Sequence, residues 1–143
     1  MLVLGAPAVA DDGCGGAHAP GDVKLTVQVN GVRPAVGEVA ITVYPDDKRR
    51  FLARGGKYAR QRVKAAASVR ACFWVPPAGY AVAVYHDANG DHNFARTLVG
   101  LPDEGFGFSN DPETRVGLPP LSAVRFMVGR NDRSIAVQMR YLR

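Results

Sequence analysis

Apolar and polar residues alternate in several short segments of this chain, and this period of two predicts β-strands. In residues 23–29 the odd-numbered positions are all apolar, whereas the even-numbered ones are Lys24, Thr26 and Gln28. A strand with this pattern buries one face and exposes the other, because successive side chains point to opposite sides. Residues 38–44 show the same alternation. The turn-forming pair Asn30-Gly31 lies between the two segments, so we expect them to form the first antiparallel pair.

Further strands are predicted at residues 57–66, 68–75, 80–85, 123–128 and 134–141, with Gly, Pro and Asn in the connections between them. Residues 80–85 are apolar on both parities, which predicts a central strand that is covered on both faces. The last two segments are joined by the four residues 129–132, and we expect them to form a hairpin.

About seven short strands without a helical period predict an all-β fold, namely a single antiparallel β-sandwich of immunoglobulin-like or transthyretin-like type. One long loop is expected at residues 86–120. A chain of 143 residues has room for one such domain. We assign residues 22–143 to the sandwich and residues 1–21 to a signal-peptide remnant and N-terminal segment.

The N-terminal assignment depends on residues 1–12, where an apolar run ends in Ala8-Val9-Ala10 before Asp11 and Asp12. Small residues at this spacing ahead of a polar stretch are typical of a signal-peptide cleavage site. We therefore expect a periplasmic or secreted protein; the alternative is a frayed apolar terminus. No stretch reaches the ~20 apolar residues that a membrane-spanning helix needs, so no transmembrane segment is expected.

The chain contains two cysteines, Cys14 and Cys72. An oxidising compartment would permit one disulfide between them, which would pin the N-terminal segment to the domain. The alternative is two free thiols, with Cys72 filling the core.

Positive charge is concentrated in one part of the chain. The formal net charge is +5, and residues 48–70 contain nine of the eighteen Lys and Arg residues but no Asp or Glu. A basic patch of Arg60, Arg62 and Lys64 could bind an anionic envelope component that carries phosphates, anionic glycans or lipid headgroups. The same side chains on an edge strand would discourage edge pairing. Nucleic acid is not an expected partner of an exported protein.

A polar cluster at residues 85–94 directly follows the predicted central strand. Asp87, Asn89, Asp91 and the carbonyl of Asn93 have the relative spacing of the first four ligands in a calcium loop. His92 and Leu98 stand where such a loop requires Gly and Glu. Calcium is the one cofactor that we consider, and the alternative is a turn whose side chains bond their own backbone.

The same cluster offers weaker support for catalysis. His86 and Glu104 could serve as the acid and base of a hydrolase. His86 and Asp87 are not expected to form a dyad, because adjacent strand residues point to opposite faces. No nucleophile motif accompanies them in the sequence, so we predict a protein that is not an enzyme.

Glycine alternates with phenylalanine in the second half of the loop, around Phe106 and Phe108. One hypothesis is that this part packs against the end of the sandwich as a self-contained loop. The other is that it forms a binding surface for a glycan or a peptide, in which case its contact residues would be His86, Asp87, Glu104, Phe106, Phe108 and Asn110.

Two blocks of sequence, residues 80–90 (YAVAVYHDANG) and 100–110 (GLPDEGFGFSN), resemble a bacterial family, domain of unknown function family 2141. The resemblance covers roughly residues 22–142, and His86, Asp87, Asn89 and Asp91 match the family pattern. His92 and Ala95 depart from it, which weakens a cation site. The resemblance implies an exported β-sandwich without enzymatic activity.

We therefore expect an exported, non-catalytic binding module that uses the loop at residues 86–110. A purely structural envelope protein is the alternative, and a hydrolase is the third hypothesis.

Overall fold

The computed structural model describes residues 13–88, 90, 105–113 and 118–141. These described residues form eight strands and one short helix, which are, in chain order, β1 (Val23–Asn30), β2 (Glu38–Pro45), β3 (Ala59–Lys64), β4 (Ser68–Val75), β5 (Ala78–Asp87), β6 (Phe106–Phe108), α1 (Leu121–Val124), β7 (Phe126–Val128) and β8 (Arg133–Gln138). Among these residues, no helix is long and apolar enough to cross a membrane.

The strands form two sheets that pack face to face, which confirms the predicted β-sandwich. The smaller sheet has the order β4-β1-β8, and the larger has the order β3-β2-β5 with both β6 and β7 paired to the far side of β5. All pairs are antiparallel except β1 with β8, which is parallel. The short strand β6 lies within the segment that we predicted to be a long loop.

Two predicted strand pairs are wrong. β1 pairs with β4 over its whole length, and β2 pairs with β3 and β5, so β1 and β2 belong to different sheets. β7 and β8 are likewise in different sheets. In both cases the connection crosses from one sheet to the other. An alternating strand presents the same apolar face to the core from either sheet, and its pattern therefore does not specify its neighbour.

The main core lies between the sheets. It contains the odd-numbered side chains of β1, β2 and β4 and the even-numbered ones of β5, including the fully buried Leu25, Ile41, Phe73, Val82 and Val84. A second apolar cluster covers the opposite face of β5, where Ala81 and Ala83 pack with Tyr44, Phe108 and Val124. The prediction of a central strand covered on both faces is therefore confirmed.

The N-terminal segment Gly13–Gly16 lies along the edge of β4. Cys14 and Cys72 form the predicted disulfide, with their Cα atoms 4.5 Å apart. The N–H of Gly15 donates to the Cys72 carbonyl (2.8 Å), and the Gly15 carbonyl accepts from the N–H of Trp74 (2.9 Å). The segment runs parallel to β4 at this point. Residues 1–12, on which the signal-peptide prediction depends, are outside the described residues.

Candidate functional site

His86, predicted as a ligand-contacting residue, is fully buried at the end of β5. Its Nε2 lies 2.7 Å from the Val36 carbonyl oxygen, which can only accept a hydrogen bond. Nε2 therefore donates this bond, and Nδ1 forms a hydrogen bond with the Tyr141 hydroxyl at 2.9 Å. That hydroxyl in turn accepts from the N–H of Arg33. Both imidazole nitrogens are thus bonded within the protein.

Asp87 points to the opposite face of the sheet, as the alternation predicted, and its side chain is 1% exposed. Its carboxylate lies 3.7 Å from Nη1 of Arg62. Nη2 of Arg62 donates to the Tyr85 hydroxyl at 2.6 Å, and Glu38 lies 3.9 Å from Nη1. Asp87 is therefore part of an ionic cluster on the outer face of the larger sheet.

Four of the predicted loop and calcium residues, namely Asn89, Asp91, Asn93 and Glu104, lie outside the described residues. Within the described ranges, His, Cys, Asp and Glu side chains do not gather in a group of three that could hold a metal ion. Asp87 is the one predicted calcium ligand whose position is described, and it already has Arg62 beside it. Calcium binding therefore stays a prediction, and so does the expectation that the protein is not an enzyme.

The aromatic half of the loop is built into the fold. Phe108 is 1% exposed, and its ring contacts those of Phe51 and Phe106 edge to face. Ser109, which the sequence analysis did not single out, donates from Oγ to the Val124 carbonyl (2.6 Å) and accepts from the N–H of Val82 (3.0 Å). These contacts attach β6 and α1 to β5.

Asn110 completes the same attachment. Its backbone has a positive φ of 69°, a conformation that Asn tolerates better than most residues. Its side-chain amide donates to the carbonyl of Arg125 at 2.9 Å. Of the described residues predicted to contact a ligand, Phe106 and Asn110 are the two that reach the surface, and Phe106 only partly.

The predicted basic patch lies on β3, an edge strand of the larger sheet, but its three cations differ in environment. Nε of Arg60 donates to Oγ1 of Thr42 at 2.7 Å, and Arg62 is held by Tyr85. Lys64 is exposed. The side chains of Arg60 and Arg62 are therefore bonded to other side chains of the larger sheet. Lys64 is the residue of the basic patch that is most accessible to a partner.

A cleft of about 590 Å³ opens between the edges of β3 and β4, and we call it the β3–β4 cleft. It is lined by Lys24 and Thr26 of β1, Gln61 of β3, Arg70 and Cys72 of β4, and Gly13. None of the described residues that line it carries a carboxylate. The side-chain amide of Gln61 donates to the Gly13 carbonyl and closes one end. Arg62, which the sequence analysis placed in the basic patch, also lines the cleft. The sequence analysis did not single out Lys24, because the pairing of β1 with β4 brings it there from a distant part of the chain.

Comparison with known proteins identifies a family but no activity. The model of a family described as "uncharacterized protein conserved in bacteria (DUF2141)" matches residues 27–136. No curated protein matches the chain. Among solved structures, a pilus-presented adhesin, Spy0125 (Cpa), is similar at 14% sequence identity with a TM-score of 0.36. The match covers 85% of this chain but only 28% of the adhesin.

Proposed function

Because the chain belongs to the bacterial family DUF2141, whose description names no activity, we propose that it is an exported, non-catalytic module that binds an anionic component of the cell envelope. The binding site is the β3–β4 cleft.

The observation that carries this proposal is the composition of the cleft. Lys24 and Arg70 supply positive charge, Thr26 and Gln61 supply hydrogen-bonding groups, and no described lining residue supplies a carboxylate. Arg70 is exposed, and its side chain donates to Gln28 over a long contact of 3.3 Å. Cations lining a concave, low-dielectric wall attract anions more strongly than isolated surface charges do.

We place the site at the cleft rather than at the loop of residues 86–110. The described loop residues His86, Asp87 and Phe108 are buried, and the amide of Asn110 is bonded to the backbone of Arg125. A ligand could reach the three buried side chains only if the packing around them opened. The same burial of His86 supports a non-catalytic role, because a general base needs access to its substrate.

Export is supported by the disulfide and by the pattern around Ala8-Val9-Ala10. A disulfide such as Cys14–Cys72 persists in oxidising compartments and is rare in the cytosol. A purely structural envelope protein would share this feature, so the binding experiment below separates the two hypotheses.

The test is retention of the full chain on immobilised heparin, used as a model polyanion, at increasing salt. We expect the protein to bind at low ionic strength and the double variant Lys24→Gln/Arg70→Gln to elute at lower salt. Its slope of log K against log salt should fall by about 1 for each cation that is lost.

The matched control is Lys48→Gln/Arg54→Gln, which removes two exposed cations from the connection between β2 and β3. It should elute close to the unsubstituted protein. Equal losses in the two variants would show that only net charge matters, and absence of retention at low salt would favour a structural role.

A further inference from the structure

Strand β4 already accepts one extended segment at its outer edge. Gly15 exchanges two backbone hydrogen bonds with Cys72 and Trp74, in a parallel arrangement. This is strand addition by a segment of the same chain, and it occupies the half of the edge that contains residues 72–74. Gly13, in the same segment, lines the β3–β4 cleft.

The backbone of Arg70 is directed to the same edge. Backbone N–H and C=O groups of successive strand residues point to alternate edges, and Cys72 and Trp74 direct theirs to Gly15. Arg70 has the same parity and directs its own groups into the cleft. Within the described part of the chain, no backbone group bonds to Arg70 from this edge.

Strand β3 presents a second set of backbone groups across the cleft. The N–H of Ala65 donates to the Gly37 carbonyl next to β2, so odd-numbered residues of β3 face β2. Arg62 has the other parity and directs its backbone away from β2, toward the cleft that it lines. An extended chain in the cleft would therefore meet backbone donors and acceptors of both sheets.

Side chains along this edge favour acidic residues in such a chain. Arg70 projects from the outer face of the smaller sheet and donates to Gln28, its register partner on β1. Lys24 lies on the same face of β1, opposite Trp74, and also lines the cleft. A strand added to β4 would place one of its side chains directly opposite Arg70 on the same face of the sheet. An acidic side chain at that position would be attracted to the guanidinium of Arg70. A glycan would use these cations but leave the backbone groups unbonded.

Building on the proposed function, we propose that the anionic partner is an acidic, extended polypeptide segment that adds as a strand to β4 within the β3–β4 cleft. Backbone bonds would supply the alignment, and carboxylates facing Arg70 and Lys24 would supply the selectivity.

The test uses a capped peptide of alternating glutamate and valine, titrated into the full chain. Binding should be accompanied by at least a tenfold slowing of amide hydrogen exchange at Arg70 in the complex. A second peptide has the same sequence but carries N-methyl groups on alternate backbone amides. It keeps the charge and lacks the N–H groups that would donate to β4, so its affinity should be at least tenfold lower. A lysine-valine peptide should not bind. Arg70→Gln should weaken the glutamate peptide, whereas Arg54→Gln should not.

Each measurement is repeated with Asp11→Asn/Asp12→Asn, because these carboxylates directly precede Gly13 in the sequence and could compete. If the unsubstituted protein and the Asp11→Asn/Asp12→Asn variant both bind heparin but neither binds the glutamate peptide, the inference is overturned and the proposed function stands. Equal affinity for the methylated and unmethylated peptides would overturn strand addition. Failure of both heparin and peptide to bind would overturn the proposed function as well.

Discussion

His86 connects three segments of the chain at the end of the main core. Its imidazole bonds to the carbonyl of Val36 in the connection between β1 and β2 and to Tyr141 near the C-terminus. The sequence shows a histidine among polar residues, which is typical of a functional loop. His86 is buried because the even-numbered side chains of β5, including Tyr80, Val82 and Val84, point into the core, and position 86 continues that series.

We expect His86→Ala to lower the free energy of unfolding by about 3 kcal/mol, because it creates a cavity and removes the partner of the Tyr141 hydroxyl and of the Val36 carbonyl. Urea denaturation of the full chain measures the change. Lys64→Ala, at an exposed position, should change stability by no more than about 0.5 kcal/mol. A similarly small effect at His86 would show that its bonds are dispensable.

Tyr80 makes stability sensitive to alkaline pH. Burial raises its pKa to about 12, with the neighbouring Tyr58 and Asp22 adding to the effect, and its hydroxyl donates to the Pro76 carbonyl. An unfolded tyrosine ionises near pH ~10. The folded state therefore holds the proton more tightly, so this contribution is complete below pH ~10 and is lost as the pH rises toward 12.

Thermal melts between pH 9 and pH 12 test this prediction, at ~0.5 pH intervals chosen to span the two pKa values. Stability should decrease across this range, and Tyr80→Phe should show a shallower decrease because it has no proton to lose. Burial also raises the pKa of Tyr44 and Tyr141, so part of the decrease should remain. Parallel curves for the two proteins would contradict the assignment to Tyr80.

At the scale of elements, strand positions were predictable and strand partners were not. The predicted segment 68–75 is β4 as observed, and residues 23–29 lie within β1, because burial of one face imposes a local period of two. Pairing depends on contacts between distant segments. β1 lies between β4 and β8, and no local turn signal contains that information.

The disulfide joins two such distant elements, and its loss should be costly. It links positions 58 residues apart, for which the chain-entropy estimate is roughly 4 kcal/mol. We expect Cys14→Ser/Cys72→Ser to lose about this much stability in urea denaturation. A reductant should destabilise the unsubstituted protein to the same extent and leave the double variant unchanged. A double variant as stable as the oxidised protein would show that backbone bonds alone hold the N-terminal segment.

At the scale of the whole molecule, the arrangement of the two sheets creates the candidate binding site. β3 and β4 follow one another in the chain but are edge strands of opposite sheets, and the β3–β4 cleft opens between them. Lys24 reaches it because β1 is the neighbour of β4. The cation-rich segment 48–70 contributes Arg62 and Arg70 to the lining of this cleft, whereas Lys24 comes from outside that segment.

The sequence by itself determined the all-β class, the positions of most strands, the central place of β5 and the two cysteines available for a bridge. These follow from the period of side chains along an extended backbone, which is a local property. Tertiary structure alone decided which sheet each strand joins, that His86 and Phe108 are buried, and that Arg62 is bonded to Tyr85. It also decided that Lys24 and Arg70 share a cleft. Those outcomes depend on packing between residues far apart in the chain, where many pairings satisfy the same alternation.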